Sequence, residues 1–344
     1  MFFLSCFKGG EAFRGRMGIA AVALLLFLLL APCREAAGEG PLKKAVFLPQ
    51  WVPQAQFAGY YAALERGIYR KHGIDLTILP GGPGRSPGEC LEGGTADFGT
   101  LWLATGIEMR AKGIPVVNIA QILQQSALML VAMKSSGIEK PEDMEGRKAG
   151  LWGGVFQIQP AAFFRKFKLN VVVVPQSFSV DLFLRGGVAI ASAMWYNEYH
   201  TILNAGVDPD ELTPFFFQDY GLNYPEDGIY VLEKTFEGDP DLCRAFVNAT
   251  LEGWRYAFDH PDEAVGIVLR ELEKANIPAT RVHQRWMLDR MKDLMASRDN
   301  PALPAGSLLP EDYHRVAHGL KAFGLIETIP SFTEFYRVCG NEEP

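Results

Sequence analysis

Metal-ribbon and thiol-redox chemistry are the first classes this sequence excludes, because cysteine is scarce. Five of its 344 residues are cysteine: Cys6, Cys33, Cys90, Cys243 and Cys339. None stands in a C-x-x-C pair or at a Cys/His metal-ligand spacing. Two fall in the N-terminal leader. The three left over make a poor disulfide framework, with Cys90–Cys243 and Cys243–Cys339 as the open pairings. Basic runs are missing too. With 33 Lys and Arg against 40 Asp and Glu, the formal charge is −7, which argues against nucleic acid as a partner. There is no Walker phosphate loop and no H-E-x-x-H, no low-complexity tract and no solenoid repeat. What remains, 48% hydrophobic and 21% charged, is the composition of a globular chain. Its length suits two lobes better than a single core.

Long apolar runs are also absent, apart from residues 17–31, preceded by Lys8, Arg14 and Arg16. About fifteen residues is short for a membrane span and right for the core of a signal peptide. Residues 1–37 are therefore expected to be a leader and tether, with Met1 and Met17 as alternative starts. Cys33 stands where a lipoprotein carries its anchor, and cleavage near Ala37 is the competing outcome. Both routes place the mature protein in the periplasm or on the outer face of the cytoplasmic membrane.

Beyond the leader, apolar runs of four to nine residues alternate with segments of helical period. Strands are expected over 44–48, 75–79, 96–99 and 116–121, with helices over 55–71, 87–93 and 101–112. A second series begins near 147. Such alternation predicts βαβ units and an α/β fold with mainly parallel sheets. The runs at 130–134 and 228–232 are alike and bracket the second series. The chain is thus expected to form one lobe over 38–130 and a second over 131–227, then to return over 228–344 with a helical C-terminal extension. Asp239-Pro240 and His260-Pro261 mark helix starts there.

Candidate site residues gather where strands hand over to helices, the ends at which open α/β sheets bind ligands. The first such corner is the stretch from Gln50 to Tyr61, with Trp51, Gln54, Gln56 and Tyr60; Pro53 is expected at the first helical position. Others hold Thr100 and Trp102, Trp152, Ser177 in Pro175-Gln176-Ser177-Phe178, and Trp195, Asn197 and Glu198. Aromatic residues in such places either stack on a flat ligand or fill the core at helical spacing. Amides, hydroxyls and a carboxylate beside them supply hydrogen bonds. The glycines at 81–84 suit a tight turn or an anion nest. His314 and His318, four apart on a helix, lack a third ligand.

Trp51-Val52-Pro53-Gln54-Ala55-Gln56-Phe57-Ala58-Gly59-Tyr60-Tyr61, Gly73-Ile74-Asp75-Leu76, Ala96-Asp97-Phe98-Gly99 and Ala193-Met194-Trp195-Tyr196-Asn197-Glu198-Tyr199 carry a resemblance. With the leader and the inserted lobe, they make the chain similar to type II periplasmic substrate-binding proteins of ABC importers. The branch is the one that binds nitrate, sulfonates, taurine and thiamine-pyrimidine precursors, and the wording is nearest its riboflavin and pyrimidine members. The resemblance implies a two-lobed binder of a small planar heteroaromatic metabolite, with a membrane permease as partner and no cofactor. It implies stacking or shape from Trp51, Trp152 and Trp195, and hydrogen bonds from Gln54, Gln56, Thr100, Asn197 and Glu198. Glu198 opposes an anionic ligand. One enzyme shares the fold, a thiamine-pyrimidine synthase that consumes its own histidine and pyridoxal phosphate. Where it has its cofactor lysine and sacrificial histidine, this chain has Leu101 and Thr105. Its cysteine-rich motif is matched only by Phe215-Phe216-Phe217-Gln218-Asp219-Tyr220, so binding without turnover is the expectation.

Overall fold

The computed structural model describes residues 41–339; the leader, Cys33 and the last five residues lie outside them. Ten strands are arranged in two five-stranded sheets. The first contains β1 (Lys43–Leu48), β2 (Ile74–Ile78), β3 (Phe98–Trp102) and β4 (Val116–Gln121). The second contains β5 (Leu128–Met133), β6 (Lys148–Leu151), β7 (Val172–Pro175), β8 (Ile190–Met194) and β9 (Leu212–Phe216); β10 (Asp227–Leu232) rejoins the first. The orders are β2-β1-β3-β10-β4 and β7-β6-β8-β5-β9. In each sheet four strands run one way and one, β10 or β5, runs against them. The sheets are mainly parallel, as expected. Helices cover both faces, so inner strands such as β3, β8 and β10 are buried throughout and do not show the alternation of a half-exposed strand.

The chain crosses between sheets twice, at 122–127 and 217–226, and the two crossings are tied together. Asn223 Oδ1 accepts from Ser126 N at 2.9 Å, and its Nδ2 donates to Gln124 O at 2.9 Å. Glu226 Oε1 accepts from Ala127 N (2.7 Å), Leu128 N (2.9 Å) and Ser126 Oγ (3.0 Å).

Two elements differ from the sequence expectation. The helix expected over 55–71 is three pieces: a 3-10 turn Ala55–Phe57, helix Ala58–Glu65 and helix Ile68–Lys71. Gly67 breaks it with φ of 67°, a left-handed conformation that glycine reaches at little cost. Pro53 lies outside the helix, because Gln54 is fully extended and Ala55 N is satisfied by Gln284 Oε1 at 2.7 Å. The strand expected over 96–99 runs instead over Phe98–Trp102, because β10 pairs Leu101 with Gly228 and Trp102 with Asp227. Helices Pro240–Asp259 and Pro261–Lys274 begin at their proline signals, and Asp239 caps the first, accepting from Leu242 N at 3.0 Å. Cys90, Cys243 and Cys339 are free thiols, so neither open disulfide forms.

Candidate functional site

A cavity of ≈ 160 Å³ lies where the carboxyl ends of strands from both sheets meet. Beyond β1 the chain contributes Gln50, Trp51, Gln54 and Gln56; Trp102 ends β3. From the other sheet come Trp152 and Phe156 beyond β6, Phe178 beyond β7, and Met194, Tyr196, Asn197 and Glu198 at the end of β8. The aromatic walls contributed by the two sheets touch each other. Trp102 meets the edge of Phe156 at 4.5 Å between centroids, and Trp51 meets Phe178 at 4.8 Å. Trp152 is held by its Nε1 donating to Ser177 O at 3.0 Å.

The polar groups form two sets. Asp227, opposite Trp102 on β10, accepts from Gln56 Nε2 at 2.7 Å and from Gln50 Nε2. Gln56 Oε1 in turn accepts from Gln54 Nε2 at 2.6 Å. Thr100 Oγ1 accepts from Gln50 N at 2.9 Å. One carboxylate thus orients three amide side chains. On the other wall Glu198 accepts from Met194 N and Asn197 Nδ2, each at 2.9 Å.

No Lys, Arg or His is among the described residues lining the cavity. Burial pushes the carboxyls of Glu198 and Asp227 up to about 7, against the hydrogen bonds each accepts. Glu226 is pushed up to about 8, by burial first and then by the neighbouring charge of Asp227. Of the three, Glu198 alone lines the cavity; with a value of about 7 it is part ionised near neutrality, so it accepts N–H donors from a guest and disfavours an anion increasingly as pH rises. The three carboxyls also make stability depend on pH. The folded-state value of Glu226 is raised above 4.5 to about 8, so the native state holds a proton that the unfolded chain releases. That contribution is full below pH 4.5 and is lost as pH rises through 8. Urea midpoints are expected to fall from pH 6.5 to pH 8.5, and Glu226→Gln to flatten that slope; an equal slope in the variant would refute the assignment.

Seven of the eleven residues expected at the site line the cavity: Trp51, Gln54, Gln56, Trp102, Trp152, Asn197 and Glu198. Four do not. Tyr60 is core, 1% exposed and stacked on Phe47 at 4.6 Å. Thr100 lies behind the site and holds Gln50, and Ser177 contributes a carbonyl to Trp152. Trp195 points the other way: alternation past β8 sends Met194 and Tyr196 to the cavity and Trp195 to the opposite side, against Phe216 and under Arg290. Phe156, Phe178 and Tyr196 sit within corners the sequence marks, but nothing local marks Asp227. The 81–84 loop is a turn packed behind Trp51, since a Cβ on Gly81 would strike the carbonyls of Pro49 and Trp51. Gly84-Arg85-Ser86-Pro87-Gly88 spells G-x-S-x-G, the letters of a nucleophile elbow. Here Ser86 is a helix N-cap accepting from Glu89 N at 3.3 Å. His314 and His318 are exposed, and no group of three potential metal ligands occurs among the described residues.

Comparison with known proteins places this geometry in context. The family described as NMT1/THI5 like matches residues 54–264, well over half of the chain. The formylaminopyrimidine-binding protein of Halalkalibacterium halodurans is 24% identical, over 88% of this chain and 93% of that protein. The riboflavin-binding protein RibY of Chloroflexus aurantiacus is 21% identical over 76% and 80%. A 4-amino-5-hydroxymethyl-2-methylpyrimidine phosphate synthase of Legionella pneumophila is 25% identical over 68% and 76%. Among solved structures, the periplasmic aliphatic sulphonate binding protein SsuA of Escherichia coli superposes with a TM-score of 0.66 at 13% identity, covering 88% of this chain and 94% of that one, a likeness of fold.

Proposed function

From the premise that this chain belongs to the NMT1/THI5-like family, we propose that it is an extracytoplasmic solute-binding protein of an ABC importer, taking up a single-ring amino-heterocycle of the formylaminopyrimidine class. The observation that carries the reading is the cavity itself. It is walled by Trp51, Trp102 and Trp152, edged by Glu198 and the amides fixed by Asp227, and has no cation in its lining. An aminopyrimidine matches it on three counts: a flat face to stack, exocyclic N–H groups to donate, and a ring that tolerates positive charge.

At ≈ 160 Å³ the cavity is below the roughly 300–1,000 Å³ typical of drug-sized ligands, which favours one ring over the three of riboflavin. The buried carboxyls weigh against sulfonate or nitrate. Against the synthase reading, no lysine among the described residues lines the cavity to hold pyridoxal phosphate, and Leu101 is buried strand. Export by the 1–37 leader, with a lipid on Cys33 or cleavage near Ala37, completes the proposal, as does delivery to a permease after the lobes close. Among the described residues no helix is long and apolar enough to cross a membrane.

Titration calorimetry with formylaminopyrimidine, riboflavin and taurine tests the reading. Formylaminopyrimidine is expected to bind at micromolar concentration or below, at least tenfold tighter than the others, and to be recovered unchanged. Preference for taurine, or product formation on adding pyridoxal phosphate, would overturn it.

A further inference from the structure

We propose that helix Arg281–Met295 is a latch between the lobes, and that His283 is the positioning residue through which it aims Asn197 and Glu198 at the cavity. The proposal rests on reading the protein as a binder whose lobes close on a ligand.

The helix grips both lobes with different side chains. Toward the first sheet, Gln284 Oε1 accepts from Ala55 N at 2.7 Å, and Met287 Sδ accepts from Gln56 N at 3.2 Å. These two backbone amides start the 3-10 turn that carries Gln56 into the site. Met287, Leu288, Met291 and Leu294 are buried on that side. Toward the second sheet, Trp286 Nε1 donates to Trp195 O at 3.1 Å, and the Trp286 ring packs on the second lobe's core. A stacked ladder continues the contact. His200 lies parallel to Trp286, 4.7 Å away at 11°, and His283 follows His200 at 5.0 Å and 24°. Arg290 covers both Trp195 and Trp286, at 4.8 and 4.7 Å from their ring centroids.

Hydrogen-bond polarity shows what the ladder does for the site. Asn197 Nδ2 donates to Glu198 Oε1, so its Oδ1 is an acceptor and faces His283 Nε2 at 2.9 Å. His283 Nε2 must therefore carry the proton. In the neutral ring Nδ1 is then the acceptor; it lies 2.8 Å from His200 Nδ1, a nitrogen that Asn204 Nδ2 also contacts at 3.2 Å. Burial keeps His283 neutral by pushing its value down to about 4. The relay His283, Asn197, Glu198 ends on a carboxyl at the cavity wall, with His200 stacked behind His283, and neither histidine lines the cavity. Trp195, which does not line the cavity, finds its place here as the tread on which the latch rests. A latch made only when both lobes are in place holds the closed form and so acts on release more than on capture.

The test uses the protein with formylaminopyrimidine as probe, followed by stopped-flow tryptophan fluorescence. His283→Ala is expected to raise the dissociation rate about tenfold, the worth of one hydrogen bond to a buried group, with association within twofold of the parent. His283→Gln, which restores a side-chain N–H donor, is expected to recover most of that. In a double-mutant cycle, His283→Ala added to Asn197→Ala should cost little more than Asn197→Ala alone. An unchanged dissociation rate, or fully additive losses, overturns the latch. If formylaminopyrimidine does not bind the parent protein, the ligand reading fails, and the latch is judged by hydrogen exchange. Amides of helix Glu198–Asn204 must then exchange at least several-fold faster in His283→Ala than in the parent and in His283→Gln, melting curves having confirmed the fold. Equal exchange in all three overturns it.

Discussion

Alanine in place of Asp227 is expected to weaken formylaminopyrimidine binding by at least about 100-fold, the largest functional effect of any single substitution at the cavity. The carboxylate accepts from Gln50 and Gln56, and Gln56 accepts from Gln54. Removing it frees three lining side chains at once. Above pH 7, where Asp227 is ionised, a hydrogen bond to the charged acceptor contributes about 1.5–3 kcal/mol, so two of them, lost together in a buried place, exceed a factor of about 100 at pH 8. Asp227→Asn should fall between, because its amide can accept from one glutamine but turns N–H toward the other. Calorimetry on both variants, with circular dichroism to confirm the fold, decides the matter. Binding within tenfold of the parent in Asp227→Ala would show that the glutamines are held by something else.

Gly253→Ala is expected to be the most damaging of the small core changes, lowering stability by about 3 kcal/mol, the upper range for overpacking. Helix Pro240–Asp259 crosses helix Ala58–Glu65 at this glycine. A Cβ there would meet the backbone carbonyl of Gly59 and the methyl of Ala63, 2.6 Å away. Gly59 faces the ring of Trp254 in the same contact. A carbonyl in a helix cannot swing aside as a flexible side chain can, so the helices must part and the stack of Tyr60, Phe47 and Phe246 loosens with them. Chemical denaturation is the direct measurement. A loss under about 0.5 kcal/mol would mean the crossing yields without strain. Gly266→Ala, on the next helix, provides the control: only the tip of Arg270, 3.9 Å away, would meet its Cβ.

Local chemistry was enough to announce most of the architecture. Short apolar runs separated by helical segments imply parallel strands with crossover helices, because a parallel sheet must be covered on both faces. Pro240 and Pro261 begin helices where the chain says they should, since a proline's missing N–H is harmless in a first turn. The tryptophans and amides at strand ends were visible as well, because the ends of parallel strands converge on one edge whatever the details of packing.

By itself, then, the sequence determined two mainly parallel α/β sheets and the edge on which a ligand cavity would form, both being consequences of period and punctuation within about fifteen residues. It also singled out seven of the lining residues. Only the tertiary structure decided which neighbour of Met194 turns inward, Tyr196 or Trp195. The same is true of Asp227 taking charge of three glutamines from more than 170 residues away, and of a C-terminal helix reaching across to Asn197. Those outcomes depend on strand pairing and side-chain direction between segments remote along the chain, and a residue's own neighbours hold no record of the partner that will stand opposite it.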